Sequence, residues 1–306
     1  MASESGFVSG VPRRGVTAPD RLLRRLEWKL GRRLDGRLQG AYRTVWHGTG
    51  LDFTDLRAYT PEDDVRHIDW NVTARTDEPH IRQYTEDREM TAWFVIDRSA
   101  SMRFGGHDGK ASIATELAVS LARLVAQGGN RVGAILFDNL DKKVVPPRGG
   151  RDQILRLARE LTSREQTRKI GTTTDLSEML RLAATTTSRR RSLVFVMSDF
   201  IGDPGWERSL AMLTHRHEVV VIRIVDPAEL ELPDLGLVLV EDAETGEQVL
   251  VDTSDPLLRG RLAEQVGARE QALAEGMRRA GVNPHRVTTD QDLLAVLIDM
   301  VRRSGR

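Results

Sequence analysis

The residues best suited to chemistry in this 306-residue chain are Asp97, Ser99 and Ser101. They close the stretch Trp93-Phe94-Val95-Ile96-Asp97-Arg98-Ser99-Ala100-Ser101-Met102, whose apolar run reads as a buried strand. In an extended segment, residues i, i+2 and i+4 point to one side. The acid and the two hydroxyls would therefore present three oxygen ligands together beyond the strand's carboxyl end, where open α/β sheets bind ligands. The same side chains could instead form turn bonds that merely cap the next helix.

Two later turns offer oxygen donors of the same kind. Gly171-Thr172-Thr173-Thr174-Asp175-Leu176 opens a helix, so a threonine hydroxyl there could reach the same crest. Leu193-Val194-Phe195-Val196-Met197-Ser198-Asp199 repeats the opening logic, an apolar strand running into an acid. No cysteine or histidine stands at any of the three turns. An all-oxygen donor set favours a hard cation, magnesium or manganese, over zinc.

The order Asp-x-Ser-x-Ser, then a Gly-Thr-rich turn ending in Thr-Asp, then a strand-terminal Asp resembles the metal-ion-dependent adhesion site of von Willebrand factor type A domains. That resemblance implies Asp97, Ser99, Ser101, Thr174 and Asp199 as metal-site residues. Thr174 is chosen over Thr172 and Thr173 only by the Asp-Leu that follows it. In such domains the hydroxyls touch the ion and the carboxylates act largely through water. The ion keeps an affinity for one more anionic oxygen, typically a Glu or Asp side chain of a protein partner.

The elements that must position these residues alternate in type. Strands are expected at 91–96, 132–137, 142–145, 193–197 and 218–225, and helices at 110–127, 151–161, 175–185 and 206–215. Strands alternating with helices predict an α/β fold with a doubly wound, mostly parallel, Rossmann-like sheet. Residues 237–240 and 248–251 flank Ala243-Glu244-Thr245-Gly246, a hairpin signal expected to extend that sheet. A helix over 256–279, a short strand at 285–287 and a helix capped by Asp290 close the chain.

Upstream, residues 1–18 are rich in Gly, Ser and Pro and read as a disordered arm. Residues 19–42 predict an amphipathic helix, with Leu22, Leu26, Leu30, Leu34 and Leu38 recurring at i+4. Its polar face is basic, and it either docks on the body by its leucines or meets an acidic partner or surface. Residues 48–88 carry few long apolar runs, and Asp52, Asp55, Asp63, Asp64 and Asp69 interleave with Arg57, Arg66, Arg75 and Arg82. That pattern predicts an irregular segment pinned by arginine–carboxylate pairs. The expected organisation is 1–45 arm plus helix, 46–90 signature segment, and 91–306 α/β domain.

Within the signature, Asp55-Leu56-Arg57-x-Tyr59, Pro61-x-Asp63-Asp64-x-Arg66-x-Ile68-Asp69-Trp70 and Ala74-Arg75, followed by the Asp97 motif, resemble the bacterial and archaeal family called domain of unknown function 58. Glu62 departs from it, standing where the family commonly has glycine. The family often lies beside MoxR-type AAA+ ATPases. The resemblance thus implies a von Willebrand factor A-like module that acts with such an ATPase in assembly or maturation of a client.

Composition sets the outer bounds. Lys+Arg and Asp+Glu are 45 each, so the chain as a whole is not built for nucleic acid. With zero cysteines there is no disulfide, thiolate site or cysteine nucleophile. No stretch approaches a membrane span, and a cytoplasmic location is the expectation. The enzyme alternatives are incomplete. Gly105-Gly106-His107-Asp108-Gly109-Lys110-Ala111 resembles a P-loop in context, but lacks a glycine at Phe104 and has Ala111 where the magnesium hydroxyl belongs. A hydrolase using Ser99 or Ser101 with His107 lacks a Gly-x-Ser-x-Gly elbow. Phosphatase-like Asp-x-Asp chemistry meets Ser99 at the second position, and His215-x-His217 reads as a surface pair rather than a metal pair. A non-catalytic, metal-dependent interaction module is the expected function.

Overall fold

The computed structural model describes residues 49–304, except 61–62, 64, 66–67, 77, 89, 104–108, 139–140, 164–174, 188–189, 232–233 and 242–246; at 49–56, 82–88, 241 and 301–304 it describes the backbone alone. The arm and helix expected over 1–42 lie outside the described residues, as do Thr172, Thr173, Thr174 and His107.

The elements run β1 (Thr49–Ala58), α1 (Trp70–Thr76), β2 (His80–Arg88), β3 (Thr91–Asp97), α2 (Lys110–Gln127), β4 (Arg131–Phe137), β5 (Lys142–Arg148), α3 (Arg151–Thr162), α4 (Leu176–Thr186), β6 (Leu193–Ser198), α5 (Trp206–Arg216), β7 (Glu218–Val225), β8 (Leu237–Glu241), β9 (Gln248–Asp252), α6 (Pro256–Arg279), β10 (His285–Thr288) and α7 (Leu293–Ser304). A six-stranded sheet has the order β10-β7-β6-β3-β4-β5, parallel throughout except for β5. This is the expected α/β, mostly parallel, doubly wound architecture.

Strand β3 is apolar on both faces because helices cover both. Ala92, Phe94 and Ile96 pack with residues of α2, α3 and α7, including Leu117, Leu121, Leu157 and Leu297. Trp93 and Val95 face the other way, against Leu180 of α4 and Leu210 and Leu213 of α5. Phe94 stacks on Phe195 of β6 with ring centroids 4.8 Å apart. Trp93 sits opposite Gly133 of β4, and a Cβ at Gly133 would stand 2.9 Å from the indole. Glycine is required there by close approach, not by backbone conformation. Strand β5 runs to Arg148 rather than stopping at 145, and its Pro146 and Pro147 are tolerated because it is the antiparallel edge.

Three expectations are corrected. The segment 48–88 is not irregular: β1 and β2 pair antiparallel, with α1 between them in sequence. The predicted arginine–carboxylate pinning does occur at Arg57, which grips Asp63 by two bonds of 2.8 and 2.6 Å. Strands β8 and β9 do not extend the main sheet but form a separate two-stranded one. The last helix begins after Asp292, whose carboxylate accepts the Leu294 N–H, whereas Asp290 accepts the Thr288 hydroxyl.

Candidate functional site

Strands β3 and β6 are parallel neighbours, with Ile96 level with Met197, so Asp97 and Ser198 end side by side. The chain leaves β3 through α2 toward β4 on one side, and leaves β6 through α5 toward β7 on the other. The crevice between their carboxyl ends is therefore the switch point of the sheet, where open α/β folds place ligands.

Asp97 is 2% exposed. Its carboxylate accepts the Ser198 hydroxyl at 2.6 Å and the Ser99 backbone N–H at 2.9 Å. The Oγ atoms of Ser99 and Ser101, both buried, lie 3.0 Å apart in a mutual hydrogen bond. The alternation seen in the sequence thus does bring Ser99 and Ser101 together beside Asp97, in a loop that turns at once into a 3₁₀ turn over Ser101–Arg103.

Arg98, the residue between acid and serine, fixes that loop. Its backbone N–H donates to the Phe137 carbonyl at the end of β4. Its guanidinium reaches the carbonyls of Glu160 and Ser163, where the orphan acceptors of the α3 C-terminus attract a cation. The serine pair is held from both sides by elements of the sheet layer.

Asp199 stands one residue past β6. Its Oδ1 accepts the Ile201 N–H at 2.9 Å, and its Oδ2 lies 2.7 Å from Nζ of Lys110. Lys110 is wholly buried and also lies 2.5 Å from Oε1 of Glu229, in the 3₁₀ turn Pro227–Glu229 that follows β7. Behind it, Nε of Arg223 donates to the Asp199 carbonyl while the guanidinium pairs with Glu270. The next residue, Phe200, has φ 57°, a left-handed conformation uncommon for a bulky side chain. It is held by the Ser198 hydroxyl at its N–H and by edge contact with Trp206, ring centroids 5.1 Å apart. Strain of this kind clusters at functional sites.

The electrostatics follow from burial. Loss of hydration, reinforced by the negative charge of Asp199, pushes Asp97 from 3.8 up to about 6, against the opposing bonds from Ser198 and Ser99. Lys110 supplies the compensating positive charge to Asp199.

Sequence reasoning singled out Lys110 only as a would-be phosphate lysine and missed its pairing with Asp199 and Glu229. One signal was available. A lysine as the first residue of a helix faces the positive end of the macrodipole, which is unfavourable unless carboxylates answer it. Ser198, which the sequence gives no distinguishing signal, proves to be the residue that bonds Asp97. His217 corrects the surface-pair reading: it is 5% exposed, its Nδ1 accepts the Ser192 N–H and its Nε2 faces the Thr187 hydroxyl.

A hard divalent ion can be judged against these donors. Ser99, Ser101 and Asp97 form a buried, oxygen-only cluster that suits one. Asp199 has both oxygens engaged internally, so its contribution is charge rather than a free ligand. Among the described residues no group of three or more His, Cys, Asp or Glu could hold a metal, so any such site depends on the hydroxyls.

The family model described as "Protein of unknown function DUF58" matches residues 55–272. An uncharacterised protein of Mycobacterium tuberculosis is 37% identical over 286 residues, covering 92% of this chain and 89% of its own length. An uncharacterised protein of Mycobacterium avium is 33% identical over 162 residues, 53% of this chain and 94% of that protein. The chain therefore belongs to the DUF58 family. Among solved structures it is similar to the conserved hypothetical protein BatB of Bacteroides thetaiotaomicron, at TM-score 0.46 and 16% identity over 71% of this chain and 98% of that one. It is also similar to a von Willebrand factor type A protein of Catenulispora acidiphila, at TM-score 0.36 and 14% identity over 72% and 43%.

Proposed function

We propose that this chain is a non-catalytic, metal-dependent protein-interaction module, acting as an adaptor or chaperone-like partner of a MoxR-type AAA+ ATPase. The observation that carries the reading is the Ser99–Ser101 hydroxyl pair, 3.0 Å apart beside the buried Asp97 at the switch point of the sheet. Ser99 and Ser101, with Asp97 behind them, would hold a magnesium or manganese ion. Thr174, by its place in the motif, is the proposed third hydroxyl, and Asp199 balances charge nearby. Bound there, the ion would offer an anionic oxygen of the partner a coordination position. The chain's own contribution is rigidity: Arg98 and Ser198 lock the loop before any partner arrives, which lowers the ordering cost of binding.

The P-loop alternative asks Lys110 to hold phosphates. Lys110 is instead committed to Asp199 and Glu229, so no observation favours that alternative.

The test is a pull-down of purified MoxR-type ATPase from the same genome, in magnesium and in chelator, with wild type and Ser99→Ala. Binding lost in chelator and in the variant is expected. Binding equal under all conditions would remove the metal site from the interface. Nucleotide hydrolysis by the purified chain alone would reinstate the enzyme reading.

A further inference from the structure

The hairpin of β8 and β9 stands apart from the main sheet, and it is apolar where it should be polar. Leu237, Leu239 and Leu250 share one face, with Leu239 directly opposite Leu250, and they are 62–68% exposed. On the other face Val240 opposes Val249, again both exposed. Leu235 and Leu257, flanking the hairpin in sequence, add to the same uncovered region. The adjoining helix α6 buries only Gly276 and Met277 near its end, so its first turns offer no cover. A lone two-stranded hairpin is marginal in water, and exposed apolar patches of this kind mark docking sites.

The charge around the patch says what fits it. Between Arg223 and Arg259 there are ten acidic residues and no Lys, Arg or His. A leucine-rich stretch of opposite net charge lies in residues 19–42, with seven basic residues against three acidic ones, and its sequence predicts a helix with a leucine stripe and a basic flank. That flank carries Arg24, Arg25, Lys29, Arg32 and Arg33. From Leu22 to Leu38 such a helix would run about 24 Å, and each five-residue strand of the hairpin spans roughly 17 Å. The helix is long enough to span the hairpin, and apolar face and charge agree.

We infer that the β8–β9 hairpin is the docking surface for the chain's own basic, leucine-striped segment 19–42. The leucines of the segment cover Leu237, Leu239 and Leu250, and its arginines meet the surrounding carboxylates. The segment thereby becomes the third element that a two-stranded sheet lacks.

Because the chain has no cysteine, introduced pairs report contact cleanly. Full-length protein carrying Leu26→Cys with Leu239→Cys, and Leu30→Cys with Leu250→Cys, is oxidised mildly and compared with Arg25→Cys plus Leu239→Cys. The leucine pairs are expected to form an intramolecular disulfide at least tenfold faster than the arginine control. A disulfide-linked dimer would overturn docking within one chain in favour of a second copy. Equal rates, or none, would overturn it in favour of another protein. In parallel, amide exchange over 237–252 should quicken at least tenfold in Leu26→Asp/Leu30→Asp, while exchange over 91–97 stays as in wild type. Unchanged exchange would contradict the inference.

Discussion

Nζ of Lys110 lies 2.7 Å from Oδ2 of Asp199, and both side chains are sealed from solvent. The ammonium also contacts Glu229, so the first residue of α2 joins the end of β6 to the turn after β7. A buried charge is tolerable only when answered, and here each charged group answers another.

Removing one partner should therefore be costly. Lys110→Met leaves Asp199 and Glu229 as uncompensated carboxylates, and urea denaturation should show a loss of about 3–5 kcal/mol. Adding Asp199→Asn should recover part of that loss, so the double variant is less damaged than the sum of the singles. Strict additivity would mean that the pair does not interact as described.

Asp97 makes the metal-free fold pH-dependent. The unfolded carboxyl ionises near 3.8 and the folded one near 6. Below about pH 3 both states hold the proton and there is no differential. As pH rises the unfolded state ionises first, so stability falls until the folded group titrates near pH 6. Beyond that the loss is constant, on the order of a few kcal/mol at most. Asp97→Asn removes this term, so thermal melts should show the variant gaining on wild type between pH 4.5 and pH 7.5. A constant difference across that range would contradict the raised value.

His217 works in the opposite direction. Burial, with Arg216 and Arg191 nearby, lowers its pKa below the ordinary 6.5. Because Nδ1 accepts the Ser192 N–H, the ring proton belongs on Nε2, facing the Thr187 hydroxyl. Unfolding exposes a histidine that protonates more readily, so this contribution to stability fades as pH falls below about 6.5. A nitrogen-detected NMR titration should place the His217 midpoint below the ordinary 6.5. An equal or higher midpoint would remove this pH term.

The contact between Trp93 and Gly133 allows a packing test. Gly133→Ala places a methyl 2.9 Å from the indole and 3.1 Å from the Val145 carbonyl. The ring must shift within a filled layer, which should destabilise the protein by about 1–3 kcal/mol and alter tryptophan fluorescence. Wild-type stability would show that the layer is looser than described.

The apolar run from Trp93 to Ile96 and the acids at the carboxyl ends of two strands were legible in the sequence, because parallel strands buried on both faces leave an unmistakable apolar run. The same logic placed Asp97, Ser99 and Ser101 together. What stayed hidden depended on long-range partners. Lys110 meets Asp199 and Glu229 across 89 and 119 residues, and no local pattern reveals that. The β8–β9 hairpin was recognisable as a hairpin, but its separation from the sheet was not, since strand propensity carries no information about which edge a strand joins. Residues 49–58 and 80–88 pair as strands although charged and hydroxyl residues outnumber their few apolar ones, so their ladder had to be seen in the backbone.

The central claim is that the serine pair holds a divalent ion. Titration calorimetry with manganese and with magnesium, on wild type, Asp97→Ala and Ser99→Ala/Ser101→Ala, tests it most directly, with folding checked by circular dichroism. The account predicts one ion per wild-type chain and at least tenfold weaker binding in both folded variants. Equal binding by all three, or no binding by wild type, would contradict it.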